Sequence, residues 1–305
     1  MKQKELELED AFFPVTLNPI YAGDMTKQPN LPGIGPSGKK IPEFKAVQRV
    51  SDGHVFAVVR SNYRLITNQQ AYNLGKICFA KVFGKQNAED MEFFNLRMPQ
   101  TQSMCYMDFI AKGESVWLGG DPKYKEEEWK MYLRITNSYN KKEALKFDIG
   151  FCRWICKNGF IFDNKAIRFK YTHDRDASRI SADFEFKYKA MSVVKTIFQQ
   201  RIDKLRAKEL DYRTFPNIVA QVFRFRPPKT EKEKEAAALR EESLRHTSLY
   251  YATKNGSNAY ALLNVLTDYA SHPEEHVFAS ALDNNADTME RRVGQWMLQY
   301  MERLA

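Results

Sequence analysis

The sequence predicts an α+β protein: a curved antiparallel β-sheet with helices packed on one face and a helical C-terminal region. Three observations lead there. Between Phe44 and Tyr171, short runs rich in β-branched and aromatic residues alternate with turn residues at Ser51–Gly53, Lys112-Gly113, Asn137–Asn140 and Lys157–Gly159, the pattern of consecutive antiparallel strands. After Ser181 the apolar period lengthens to that of a helix, with Val194, Ile197, Phe198, Ile202 and Leu205 on one stripe. Apolar residues make up 43% of 305 residues, enough to fill a core, so disordered, collagen-like and disulfide-dense classes are excluded.

Each element follows in order. Residues 14–43 hold six prolines and four glycines, so residues 1–43 read as an extended arm. Within it, Gly33–Lys39 spells G-x-x-x-x-G-K, but Lys40 stands where a phosphate-binding loop needs a hydroxyl. Pro32 and Pro42 deny it the flanking strand and helix, so nucleotide binding there is rejected. Phe44–Val50 and Val55–Val59 form a hairpin. Asn68 is the expected N-cap of a helix reaching about Phe83, with Leu74, Ile77 and Cys78 inward. Met104–Ile110 and Ser115–Leu118 read as a second hairpin, and Lys130–Thr136, Ala144–Trp154 and Phe160–Tyr171 as three further strands. A basic helix spans 187–213. Thr230-x-x-Glu233 is a capping box opening a charged helix over 231–245, and helices over 258–270 and 287–304 close the chain. The organisation predicted is an arm (1–43), an α+β core (44–229) and a helical region (230–305) packing on that core.

Charge is concentrated. Of 47 Lys and Arg and 38 Asp and Glu, the stretch 134–229 holds 22 basic against 10 acidic residues, which suits a polyanionic partner. No apolar run approaches the ~18 residues of a membrane helix, and the first ten residues lack the apolar core of a secretion signal. No membrane association is therefore expected. Cys78, Cys105, Cys152 and Cys156 lack zinc-site spacing and read as reduced, buried thiols in a cytoplasmic protein. No metal or cofactor is expected.

The leading constellation is basic and aromatic. Arg134, Lys141, Lys142, Lys146, Arg153, Lys157, Arg168 and Lys170 lie on the strands and turns of the meander, with Tyr132, Tyr139 and Trp154 among them. Lysine and arginine neutralise phosphates and aromatic faces stack on bases, the two needs of a single-stranded nucleic acid. Strand alternation places Arg153 and Trp154 on opposite faces, so the two cannot meet one ligand from a regular strand. Lys195, Arg201 and Lys204 on the basic helix offer a second track for a phosphate backbone. His173 beside Asp174 invites a general-base reading. Asp148 with Asp163-x-Lys165 loosely echoes a metal-dependent nuclease layout.

Several phrases together carry a resemblance: Tyr63–Asn68 leading into a helix, Leu133–Ser138, Arg153–Gly159, Tyr171–His173 and Asn258–His272. In this order they resemble a phage/plasmid-like family known as a domain of unknown function, across roughly Phe44 to Leu304. Where members often carry Gly and then Trp ahead of the asparagine of the C-terminal helix, this chain has Ser257 and Tyr260 at about those positions. The resemblance implies a mobile-element origin and no established chemistry. The expectation is a non-enzymatic nucleic-acid-binding protein, preferring single strands, acting in replication, recombination or annealing, and able to form a homo-oligomer. The alternatives are a stoichiometric inhibitor of a host defence complex, contacting it through the arm and the helix at 231–245, and a metal-dependent nuclease.

Overall fold

The computed structural model describes residues 6–22, 39–83, 90–113, 116–117, 128–153, 159–161, 169–173, 180, 194–272 and 286–304. The fold is α+β. The chain divides into two compact units. The first comprises Met1–Phe109, Arg134–Phe147 and Phe169–Tyr188, and the second Ile110–Leu133, Asp148–Arg168 and Lys189–Ala305. The expected meander is split between two sheets. One has the order β1-β2-β3, from Val15–Ala22, Lys39–Arg49 and Val55–Arg60. The other has seven strands among the described residues. Its main path joins β10 (Phe169–Tyr171), β8 (Leu145–Arg153), β7 (Glu128–Ser138), β5 (Met104–Ala111) and β4 (Met91–Arg97), with β6 (Val116–Trp117) on β7 and β9 (Gly159–Ile161) on β8.

In the first unit, the expected arm is partly sheet. Val15 and Leu17 alternate inward on β1, and β1 pairs antiparallel with β2 from Val15↔Arg49 to Ala22↔Lys39. A register shift falls between Pro19 and Ile20, opposite Pro42, because two prolines without N–H donors interrupt the ladder there. Val15, Val47, Val59 and Tyr139 are buried together, packed by Phe13, Leu17, Phe56 and Tyr63. Helix α1 (Asn68–Phe83) buries Ala71, Leu74, Cys78 and Phe79. Its cap is not Asn68: the Thr67 hydroxyl accepts from Gln70 N at 3.2 Å while the Gln70 side chain accepts from Thr67 N at 2.9 Å, a capping box one residue earlier. Asn68 is buried and serves as a hub. Its N–H donates to Tyr139 Oη (2.8 Å), its Nδ2 to Ala11 O (2.9 Å), and its Oδ1 accepts from Asn137 Nδ2 (2.9 Å).

In the second unit, β6 pairs with β7 (Val116↔Trp129) instead of closing the expected hairpin with β5. Strand β9 pairs with β8 (Phe151↔Phe160). Among the described residues the helices that follow are α2 (Val194–Ala207), α3 (Phe215–Phe223), α4 (Glu231–Asn255), α5 (Ala259–Ser271) and α6 (Ala286–Leu304). The α2 stripe buries Phe198, Ile202 and Leu205, and Phe198 stacks on Phe151 at 3.7 Å between centroids. Helix α4 runs ten residues past its expected end at 245, to Asn255, because Leu244, Ser248 and Tyr251 continue its buried stripe. Asn258 caps α5, accepting from Ala261 N at 2.9 Å. The two residues that depart from the family pattern are both engaged. Ser257 Oγ donates to Leu210 O (2.7 Å), and Tyr260 Oη accepts from Trp129 Nε1 (3.2 Å).

Candidate nucleic-acid interface

The expected platform on the central strands does not form, because every residue of β8 is buried and β7 is buried from Met131 onward. Three predicted contact residues are therefore structural. Arg134 is 1% exposed and forms a two-pronged ion pair with Asp108, Nε to Oδ1 and Nη2 to Oδ2, both at 2.6 Å. Lys146 is buried and meets Glu143 at 2.9 Å. Arg153 is buried, donates to Asn264 Oδ1 at 2.7 Å and lies 5.8 Å from the Tyr251 ring. The physical reason is that polar alternation marks a solvated face only if that face is uncovered; a covered face holds paired charges instead.

Lys157 and Arg168 lie outside the described residues, as do Trp154, Asp163, Lys165 and Asp174. Lys195 falls in the first turn of α2 with its side chain outside what is described. On the same helix Arg201 is half-buried and Lys204 exposed. Asp148 belongs to an ion pair, with Arg291 at 2.6 Å, and His173 is buried with its ring stacked on Tyr63. Among the described residues no group of three or more His, Cys, Asp or Glu is placed to hold a metal ion, and no helix is long and apolar enough to cross a membrane.

The remaining predicted lysines do converge. Lys141, Lys142 and Lys170 line a cleft of about 500 Å³ in the first unit, together with Arg60, Tyr63, Glu143 and His173. Arg60 and all three lysines are exposed. Among the described residues none of the four pairs with a carboxylate, whereas Glu143, the one acidic residue on the cleft wall, is matched by Lys146. Among the described residues that line the cleft, cations therefore outnumber carboxylates four to one.

Local chemistry explains why the lysines sit there. Strand β7 runs to Ser138, two residues into the expected turn, and the connection to β8 is organised by Asn140. Its Oδ1 accepts from Ser138 Oγ (3.0 Å) and Lys142 N (3.1 Å), and its Nδ2 donates to Ser103 Oγ (2.9 Å), the side-chain-to-backbone pattern that lets asparagine direct a turn. Lys141 takes a left-handed conformation, φ 65°, and its Nζ reaches Val58 O at 3.4 Å. Lys170 stands on β10 opposite Lys146. Arg60 ends β3, where Ser61 N donates to Glu43 O at 2.8 Å and Tyr63 N to Arg60 O at 3.0 Å. The Tyr63–His173 stack has centroids 5.1 Å apart and planes at 16°. Arg64 N donates to His173 O at 2.7 Å, tying the two segments together. Burial pushes the Tyr63 phenol up to about 12, so it stays neutral throughout the physiological range.

Arg60, Tyr63 and His173 were not among the expected contacts. Arg60 carries no motif, and only the β3 register brings it beside a loop some eighty residues away in sequence. A larger cleft, about 810 Å³, lies in the second unit and is lined by Arg213, Glu241, Glu242, Arg245 and His246 among others. It mixes both signs, with Arg245 and Glu241 paired at 2.6 Å, and so offers no concentrated positive field.

No curated protein and no solved structure matches the chain. Residues 86–295 match the model of a family described as "Domain of unknown function (DUF932)". That match spans more than half of the chain, including the turn that carries Lys141 and Lys142, strand β10 with Lys170, and helices α2–α5, so the chain belongs to the DUF932 family.

Proposed function

We propose that the protein binds nucleic acid, single-stranded by preference, through the cleft bounded by Arg60, Lys141, Lys142 and Lys170. The observation that carries this reading is the gathering around one concave site of four exposed cations that have no carboxylate partner among the described residues. Lysine and arginine at such a site release counterions from a phosphate backbone, so binding is salt-dependent and indifferent to sequence. The chemistry asked of the site is binding, with no catalytic step. A role in replication, recombination or annealing rests on the phage/plasmid-like resemblance.

The test is fluorescence anisotropy with a labelled oligothymidine over a salt series. If all four side chains meet phosphates, log affinity falls against log salt with a slope of about −2.8, at roughly 0.7 per single-strand contact. Lys141→Glu with Lys142→Glu should weaken binding to all sequences alike and flatten that slope by about 1.4. Absence of binding at low salt, or tight binding that ignores salt, removes the reading. Capture of a host protein that survives nuclease treatment would instead favour the inhibitor alternative, to which the 231–245 part of α4 offers the exposed Leu239.

A further inference from the structure

We infer that Phe44 is a base-stacking contact and that it supplies the preference for single strands; this rests on the cleft reading above. Phe44 is 43% exposed. Among the described residues no other aromatic ring lies against it. It sits on β2, the middle strand of its sheet, in direct register with Arg60 on β3. Cross-strand partners have Cβ atoms about 5 Å apart, so the ring stands beside a cation of the cleft wall. Two residues along, the Ala46↔Val58 pair shares the same face, and Val58 is 51% exposed with its carbonyl accepting from Lys141. An apolar, aromatic face thus adjoins Arg60 and Lys141, two of the four cations of the cleft.

The backbone explains why this ring points outward. Ile41 pairs with Ile20 and Lys45 with Pro19 on β1, so residues 42–44 have no partner on that side. Such a bulge redirects the side chains it carries. The opposite side stays fixed, through Phe44↔Arg60 and the Ser61 N to Glu43 O bond. The ring is therefore presented from a held strand and not from a loop. A stacking contact reads the π-face of an unpaired base, which a duplex keeps inside its own stack; phosphate contacts alone serve both forms. The cleft supplies charge, and Phe44 distinguishes the strand state.

The experiment compares wild type, Phe44→Ala and Phe44→Trp on an oligothymidine and on a duplex of equal length. Phe44→Ala should lose about 5- to 150-fold in single-strand affinity, the range for one stacked base, with the salt slope and duplex affinity unchanged. Phe44→Trp should retain affinity and show indole fluorescence quenched by the oligothymidine, beyond any change in wild type. If Phe44→Ala binds single strands as well as wild type, or loses equally on both ligands, the stacking role is overturned while lysine-dependent, salt-sensitive binding still supports the cleft. If wild type binds neither ligand at low salt, both readings fall. Binding of wild type to anionic lipid vesicles, lost in Phe44→Ala while oligothymidine binding persists, would overturn the stacking role in favour of a membrane surface.

Discussion

Asp108 on β5 accepts both hydrogen bonds of the Arg134 fork on β7, each at 2.6 Å, and each side chain is 1% exposed. Two opposite charges desolvated together in this geometry satisfy one another, and removing either strands its partner in the interior. Arg134→Met should therefore lower stability by about 3–5 kcal/mol, read as a shift in the urea midpoint. Asp108→Leu combined with Arg134→Met should recover most of that loss, since a well-packed apolar pair replaces a buried ion pair at little cost. A double variant as unstable as the single one would contradict this.

Gly75 on α1 faces Ile135 on β7 with no room between them. A Cβ at Gly75 would overlap Ile135 Cδ1 and press on its Cγ1. Alanine is the better helix former by about 1 kcal/mol, yet Gly75→Ala should destabilise, because overpacking a buried contact costs about 1–3 kcal/mol. Ile135→Val removes Cδ1 and should relieve part of the loss, so thermal melts of the two single variants and the double variant should show positive coupling. A Gly75→Ala protein more stable than wild type would refute the contact.

The start of α4 should be sensitive to acid. The Glu233 carboxylate accepts from Lys229 N (2.6 Å) and Thr230 N (3.0 Å) while Thr230 Oγ1 accepts from Glu233 N (3.2 Å). The Lys229 backbone donor is the largest cause holding Glu233 below the ordinary carboxylate value of 4.5. A depressed folded value means that the capping contribution is complete above the unfolded pKa and is lost as pH falls through the folded one. Amide protection factors over residues 231–235 should hold steady near neutral pH and drop below about pH 4.5. Glu233→Gln should remove most of that pH dependence. Protection that does not change on acidification would rule the capping box out as its source.

How much was legible in the sequence varied with the range of the interaction. The capping box of α4 needs only Thr230 and Glu233, and the α2 stripe needs only helical spacing; each is local, and each is present. The pairing of β6 and the sheet position of β1 were not legible, because a strand records which of its residues face inward but not which strand lies alongside. Likewise Asn68 is a good capping residue by type, but three buried partners distant in sequence hold it elsewhere while Thr67 caps the helix. At the site, composition pointed to the basic middle of the chain, and Lys141, Lys142 and Lys170 line the cleft. Arg60, outside that basic region, also lines it, and the β2–β3 register sets Phe44 opposite Arg60.

The amino-acid order by itself determined the α+β class, the α2 stripe, the α4 cap and a middle region rich in positive charge, since propensity, periodicity and net charge are properties of neighbouring residues; Ile77, expected inward on α1, is exposed. Folding decided which of those charges meet solvent. Arg134, Lys146 and Arg153 were drawn into covered strands and matched with Asp108, Glu143 and Asn264, while Arg60, Lys141, Lys142 and Lys170 were left exposed around one cleft. Burial is a property of what packs over a residue, and desolvation makes a buried charge take a partner.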